Sequence, residues 1–182
     1  MPGARRWEVL ASERLQDCAV FSVSRLLSRS PRDGGEHAFF RIDASDWVNV
    51  VPITTAGDLV LIRQYRHGAG EITLEIPGGM VDPGERPAAA AARELLEETG
   101  YGAAELSEIG RSNPNPALFG NRLHSFVARG CERVGEVRNE GNEETAVELV
   151  PRAEVTRLVR GGNIDHALVL AGLYYLELFE RG

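Results

Sequence analysis

The first third of the chain alternates between apolar and polar positions, which is typical of strands that have one buried face. Residues 7–10 and 19–27 show this alternation loosely, and residues 37–42 resume it after the turn-forming residues 31–35. Short runs of this kind, separated by Pro and Gly, are typical of paired strands. The pattern therefore predicts an antiparallel strand meander over residues 7–46.

Two runs rich in β-branched residues follow at 47–53 and 59–65. The turn-forming residues 55–58 lie between them and predict a hairpin. A further strand is expected to end at Pro77-Gly78-Gly79, and three more strands are expected towards the C-terminus. The ranges of these four strands are 71–76, 106–110, 123–128 and 145–150.

The strongest helical pattern covers residues 87–99. Pro87 suits the first turn of a helix, and Gly100 suits the left-handed residue that ends one. A helical wheel places the apolar positions and Thr99 on one arc, which we expect to be buried. That arc contains Ala88, Ala91, Ala92, Leu95, Leu96 and Thr99.

Two C-terminal helices are expected at 152–160 and 165–179, separated by Gly161-Gly162. Strands on both sides of one central helix, with helices closing the chain, indicate an α/β sandwich with a mixed sheet. The length of 182 residues fits one domain with an appendage. We place the boundary after residue 46, with the meander at 1–46 and the main domain at 47–182.

The composition excludes several classes of function. A net charge of -7 argues against non-specific binding of nucleic acid or of anionic membranes, because both need a basic surface. Cys18 and Cys131 are too far apart in sequence to suggest a disulfide framework or a zinc cluster. No apolar run approaches the ~20 residues that span a bilayer, and the N-terminus lacks a signal-peptide pattern. A soluble, cytoplasmic protein is expected.

Three carboxylates lie close together on the central helix. Spacings of three and four residues bring Glu94, Glu97 and Glu98 to one side, where they repel each other. Oxygen ligands beside a glycine-rich loop suit Mg²⁺ or Mn²⁺. The alternative is a solvated acidic face without a ligand.

The surrounding sequence resembles the signature of the Nudix hydrolases. Gly79 is followed after five residues by Glu85, and after seven more by Arg93-Glu94-Leu95-Leu96-Glu97-Glu98-Thr99-Gly100-Tyr101. Every specified position of the family signature is filled. The resemblance implies a Nudix-type α/β/α sandwich and a metal-dependent hydrolase that splits a nucleoside diphosphate linked to another group.

Site residues follow from position within this signature. Glu94 and Glu98 resemble the principal metal ligands, and Glu97 is expected to contribute to the metal site and to catalysis. A carbonyl oxygen of Gly78 or Gly79 would complete the set. Arg93 and Glu85 resemble the ion pair that holds the loop onto the helix; for Glu85, this scaffolding role and a role at the metal both stay open.

Residues outside the signature resemble one branch of the family. Gln64-Tyr65-Arg66, Leu74–Gly79 and Pro116, fifteen positions after Tyr101, are similar to the enzymes that split ADP-ribose and nucleoside-diphosphate sugars. That resemblance implies a homodimer in which the N-terminal meander reaches the partner subunit; pairing within one subunit is the alternative. Two other functions stay open, a nucleoside-triphosphate pyrophosphatase and a non-catalytic ADP-ribose sensor.

Four residues are candidates for substrate binding: Arg66, Arg63, Trp47 and Glu75. Arg66 resembles the arginine that contacts the substrate phosphates, with an ion pair to Glu71 or Glu75 as its alternative role. We interpret Arg63 and Arg66 as sharing one strand face, opposite Tyr65. Trp47 could stack on the base or lie in the core.

The catalytic base of this branch is a glutamate on a loop that follows the signature. Here that loop contains Glu140, Glu143 and Glu144. Alignment with the family pattern favours Glu143, with Glu140 close behind, because loop length varies. Sequence alone does not decide among the three.

Overall fold

The computed structural model describes residues 3–139 and 144–182 and divides the chain into two compact units. The smaller unit contains the chain up to Ser45 together with Asn113–Arg122. The larger unit contains Asp46–Ser112 and Leu123–Gly182. No helix within the described ranges is long and apolar enough to cross a membrane.

The smaller unit is built on an antiparallel sheet of three strands, which confirms the predicted meander. The strands are β1 (Glu8–Asp17), β2 (Phe21–Arg29) and β3 (Glu36–Ala44), in that spatial order. The loop 113–122 is fastened to β3, because the Ile42 N–H donates to the Leu118 carbonyl at 2.8 Å and the Gly120 N–H donates to the Ile42 carbonyl at 3.1 Å.

The larger unit is a mixed sheet with helices on both faces. Its strands run in the order β11-β5-β4-β10-β8, with β6 beside β5, β7 beside β4 and β9 beside β10. Among the strands that the structure describes, β4 and β10 alone pair in parallel. The strands are β4 (Trp47–Thr54), β5 (Asp58–Arg66), β6 (Glu71–Glu75), β7 (Gly78–Met80), β8 (Tyr101–Gly102), β9 (Glu105–Ser112), β10 (Leu123–Arg133) and β11 (Thr145–Pro151).

Three helices complete this unit: α1 (Pro87–Thr99), α2 (Val155–Arg160) and α3 (Ala167–Arg181), with a 3-10 turn at Arg152–Glu154 before α2. On one face of the sheet, Val48 and Val50 of β4 pack with Leu95 of α1. On the other face, Val51 and Ile53 belong to the cluster that includes residues of α3. This alternation along β4 produces the α/β/α sandwich that the sequence predicts.

The predicted hairpin of β4 and β5 forms only near its turn, where Ile53 pairs with Leu59. Beyond that point β4 pairs with β10 on one side and with Gly78–Met80 on the other. Because β4 is buried on both faces, its backbone groups need strand partners on both edges. The predicted strand 71–76 does end before Pro77, as β6, but Gly78 and Gly79 belong to a further strand, β7, which the sequence analysis did not predict.

The predicted buried arc of α1 is partly wrong. Leu96 is 44% exposed, and Ala88 and Ala92 are exposed as well, whereas Glu98 is only 2% exposed. The buried side contains Ala90, Ala91, Glu94, Leu95, Glu98 and Thr99. Because Ala90 and Ala91 are small, α1 packs closely on the sheet at these two positions. The carboxylates of Glu94 and Glu98 therefore lie on the buried side of the helix.

Candidate active site

A cavity of about 1020 Å³ opens within the larger unit, between the second half of α1 and the start of α3. Its walls come from β4, β6 and β7 and from these two helices. Residues named in the sequence analysis line it, among them Trp47, Arg66, Glu75, Gly78, Gly79, Arg93, Glu94 and Glu97. The fold thus brings residues from distant parts of the chain to one cavity.

Glycines at β7 let the strand lie directly against α1. A Cβ on Gly79 would stand 2.4 Å from a carboxylate oxygen of Glu94, closer than van der Waals contact permits. The Gly78 N–H donates to Glu98 Oε2 at 2.8 Å. The glycine-rich segment and two of the three helix carboxylates therefore form one compact group.

Arg93 is the main counter-charge of this group. Its Nη1 donates to Glu94 at 2.9 Å and to Glu97 at 3.2 Å. Its Nη2 donates to the Met80 carbonyl at 3.0 Å and to Glu85 at 3.0 Å. These bonds to Glu85 hold the pKa of that carboxyl below its ordinary value, against the opposing effect of burial. The expected Arg93–Glu85 pair is present and fastens the loop to the helix.

Arg93 also relieves part of the repulsion among the helix glutamates, because its guanidinium lies between Glu94 and Glu97. Within the described ranges no three carboxylate, imidazole or thiol groups converge as a ready-made metal site. The oxygen donors at this end still suit a hard divalent cation, provided that Glu94 and Glu97 turn away from Arg93.

A second polar cluster surrounds Glu75, whose side chain is 2% exposed. Arg66 donates to it from Nε at 2.8 Å and from Nη2 at 2.9 Å. Thr73 Oγ1 donates at 2.6 Å, and His166 Nδ1 lies 2.8 Å from Oε2. A carboxylate accepts about four hydrogen bonds, so this one is saturated by protein groups. Glu75, predicted to bind substrate, is placed to orient Arg66 and His166.

The same contacts set the charge of Glu75. Burial alone would favour the neutral acid, but hydrogen bonds from Arg66, His166 and Thr73 outweigh it and hold the pKa of Glu75 well below its ordinary value. The carboxyl is therefore ionised at neutral pH. The predicted alternative role of Arg66, an ion pair with Glu75, is present in the structure.

Arg63 does not line the cavity. It pairs with Glu148 of β11 at 2.7 Å on the exposed side of the sheet. The interpretation that Arg63 and Arg66 share a face is wrong, because strand residues three apart point to opposite sides. Arg63 and Tyr65 are exposed together, and Arg66 points to the other side. Trp47 is half-buried at the start of β4 and lines the cavity, so it lies at the edge of the core.

Of the candidate bases, Glu140 and Glu143 lie outside the described residues, and Glu144 is exposed at the start of β11. The described residues on either side of positions 140–143 are attached to α1. The Arg138 N–H donates to the Glu97 carbonyl at 2.7 Å, and Thr145 Oγ1 donates to the Glu98 carbonyl at 2.9 Å. Both ends of the segment are therefore anchored to the backbone of the acidic helix.

Two residues of the cavity were missed by the sequence analysis. His166 precedes α3 and contacts Glu75, 91 positions earlier in the chain. Asn49 of β4 donates from Nδ2 to the Leu168 carbonyl at 2.7 Å and so fixes the first turn of α3. No local motif marks either residue, because each contact joins segments far apart in sequence.

Comparisons with known proteins agree with this geometry. The chain matches the family described as NUDIX domain over residues 46–172. It is 31% identical over 180 residues to the ADP-ribose pyrophosphatase of Mycobacterium tuberculosis, covering 97% of this chain and 86% of that protein. It is 32% identical over 135 residues to the ADP-ribose pyrophosphatase of Bacillus subtilis, covering 73% and 72%.

A solved structure, described as the crystal structure of an ADP compounds hydrolase, has a similar fold. The TM-score is 0.86, the sequence identity is 24%, and the alignment covers 100% of this chain and 98% of that one. Both units of the chain thus have counterparts in a solved structure.

Proposed function

Because the chain belongs to the Nudix hydrolase family, we propose that it hydrolyses the diphosphate bond of ADP-ribose or a related ADP-sugar, giving AMP and a sugar phosphate. The observation that carries the proposal is the complete signature at 79–101, which is folded so that Glu94, Glu97 and Glu98 meet Gly78–Gly79 beside a large cavity. The named relatives from Mycobacterium tuberculosis and Bacillus subtilis support the choice of substrate.

The acidic end of the cavity suits the reacting diphosphate. Glu94, Glu97, Glu98 and a carbonyl of Gly78 or Gly79 would hold Mg²⁺ or Mn²⁺. A divalent cation supplies charge stabilisation for phosphoryl oxygens and makes water easier to deprotonate. Arg93 keeps the glutamates close together before the substrate arrives, because it donates to two of them at once.

Glu143 or Glu140 is proposed as the base that removes a proton from the attacking water. Support comes from the two flanks of their segment, which bind the α1 backbone at Glu97 and Glu98. A general base must come within hydrogen-bond reach of its water, and the described residues Arg138 and Thr145, on either side of these glutamates in the sequence, both contact the helix that carries Glu97 and Glu98. Glu144 is the third candidate.

Two other residues of the cavity suit the phosphates and the base of the substrate. Arg66, held by Glu75, presents a guanidinium that suits phosphate oxygens. Trp47 lines the cavity from β4 and offers an aromatic surface on which a base can stack. Arg63, paired with Glu148 outside the cavity, has no proposed role within one subunit.

A substrate panel tests the proposal. With Mg²⁺ present, we expect ADP-ribose and ADP-glucose to yield inorganic phosphate only after a phosphatase is added, because the products are phosphomonoesters. UDP-glucose, GDP-mannose and the nucleoside triphosphates should react more slowly. Release of pyrophosphate from triphosphates as the fastest reaction would favour a nucleoside-triphosphate pyrophosphatase. Tight binding of ADP-ribose without any turnover would favour the sensor.

We also propose a homodimer formed through the N-terminal meander. Its sheet leaves large apolar side chains exposed: Trp7, Val9, Phe39 and Phe40, the last of them 57% exposed. Trp7 and Phe39 meet edge to face at 5.2 Å on one face of this sheet, whereas Phe40, the next residue of β3, points to the opposite face. Exposed apolar patches of this kind are typical of protein interfaces.

Sedimentation equilibrium tests the dimer. We expect a mass of twice 19.9 kDa for the wild type, and a single-chain mass for Phe39→Glu, which places a charge beside Trp7. Phe179→Glu, on the exposed surface of α3, is the matched control and should stay dimeric. A wild-type protein that sediments as one chain at micromolar concentration would contradict the dimer.

A further inference from the structure

His166 occupies a fixed position at the entrance to α3. Ile164, two residues before it, is 1% exposed and belongs to the main core cluster, and Asn49 holds the Leu168 carbonyl two residues after it. Anchors on both sides of His166 leave its backbone little freedom. Its side chain is 36% exposed and lines the cavity, whereas its partner Glu75 is buried.

Glu75 determines which nitrogen of this imidazole carries hydrogen. An ionised carboxylate only accepts hydrogen bonds, so His166 Nδ1, at 2.8 Å from it, must donate. In the neutral ring the lone pair then lies on Nε2. Since Nδ1 faces the buried carboxylate, Nε2 lies on the opposite edge of the ring, and no described residue makes a hydrogen bond to it.

The chain between β6 and β7 separates the cluster around Glu75 from the glutamates of α1. Glu75 and Gly78 are three residues apart, which corresponds to roughly 10 Å of extended chain. Gly78 contacts Glu98, so a diphosphate that extends from the helix glutamates to Arg66 would leave His166 to the adjoining sugar of the substrate. The sugars of ADP-ribose offer hydroxyl groups, which donate to a neutral imidazole nitrogen.

We propose that His166 contacts the substrate directly, with Nε2 accepting a hydrogen bond from a ribose hydroxyl, and that Glu75 is a positioning residue that fixes the ring. This proposal rests on the proposed function and adds a residue that the signature does not contain. The donor is a ribose hydroxyl, which belongs either to the adenosine half of the substrate or to its terminal ribose.

The variant His166→Asn separates the two roles. Its side-chain amide can still donate to Glu75, but nothing replaces Nε2. We expect the KM for ADP-ribose to rise about three- to tenfold, as for one lost hydrogen bond, with little change in kcat. His37→Asn is the matched control, because its ring lies against Trp7 in the N-terminal sheet and it does not line the cavity; its KM should stay near the wild-type value.

Product inhibition identifies the sugar. If the terminal ribose is the donor, inhibition by ribose 5-phosphate weakens in His166→Asn and inhibition by AMP does not; the reverse holds for the adenosine ribose. Unchanged KM and unchanged inhibition by both products would overturn the proposal. Failure of the wild type to hydrolyse ADP-ribose would instead contradict the proposed function.

A measurement on the wild-type protein covers the case in which the variant does not fold. Long-range ¹H–¹⁵N NMR above the pH range in which histidine titrates should show His166 as the Nδ1–H tautomer. Its Nε2 signal should shift when ribose 5-phosphate or AMP is added, without turnover. The Nε2–H tautomer, or a signal that neither product shifts, would overturn the proposal.

Discussion

Glu98→Gln should hydrolyse ADP-ribose at least about a thousandfold more slowly than the wild type, because it removes one charged ligand from a site that must stabilise phosphoryl charge by several kcal/mol. Glu98 is 2% exposed and accepts the Gly78 N–H, so glutamine of nearly equal size fits the same space. We expect the melting temperature to stay unchanged or to rise, since the substitution removes one of three neighbouring negative charges.

The measurement is the phosphatase-coupled assay with Mg²⁺, together with thermal unfolding followed by circular dichroism. Glu154→Gln serves as the control, because Glu154 pairs with Arg157 in an exposed contact far along the chain from the signature. It should keep wild-type turnover. A Glu98→Gln protein that is folded and retains more than about a tenth of wild-type activity would remove Glu98 from the proposed metal site.

The second large effect concerns stability and its dependence on pH. We expect Glu75→Gln to lower the free energy of unfolding at pH 7 by about 1–3 kcal/mol, less than a fully buried pair because Arg66 can reach solvent. The substitution removes the negative charge from a side chain that accepts hydrogen bonds from three residues. Arg66, Thr73 and His166 then face a neutral amide, whose NH₂ group cannot accept from them.

The pH profile identifies the cause. The pKa of Glu75 is lower in the folded chain than in the unfolded chain, so its contribution is fully present above the unfolded value of about 4.3. It is lost as the pH falls from there through the folded value. Urea unfolding of both proteins should therefore give a difference that is constant above about pH 5 and shrinks at lower pH. A difference independent of pH would show that the carboxylate charge is not its source.

Local signals made α1 the most accurately predicted element. Its predicted bounds, 87–99, are those of the structure, because Pro87 starts the helix and Gly100 ends it with a φ of 73°. The predicted family, enzyme class and α/β/α fold are confirmed as well. The signature combines local spacing with residue types that the chemistry requires, and both can be recognised in a single sequence.

Contacts between distant segments could not be predicted in the same way. The burial of Glu98 and the exposure of Leu96 depend on which side of α1 packs on the sheet. A helical wheel ranks positions only by how apolar they are, so it does not give that side. The pairing of β4 with β10 depends on competition among strands across the whole chain. His166 reaches Glu75 only because α3 returns to the same cavity.

The central claim is that Glu94, Glu97 and Glu98 bind a divalent cation beside Gly78–Gly79. Its most direct test is a titration of Mn²⁺ followed by electron paramagnetic resonance, in the presence of a non-hydrolysable methylene analogue of ADP-ribose. We expect the wild type to bind Mn²⁺ and Glu98→Gln to bind it at least about tenfold more weakly, while Glu154→Gln behaves as wild type. Equal Mn²⁺ affinity in the wild type and Glu98→Gln would contradict the account.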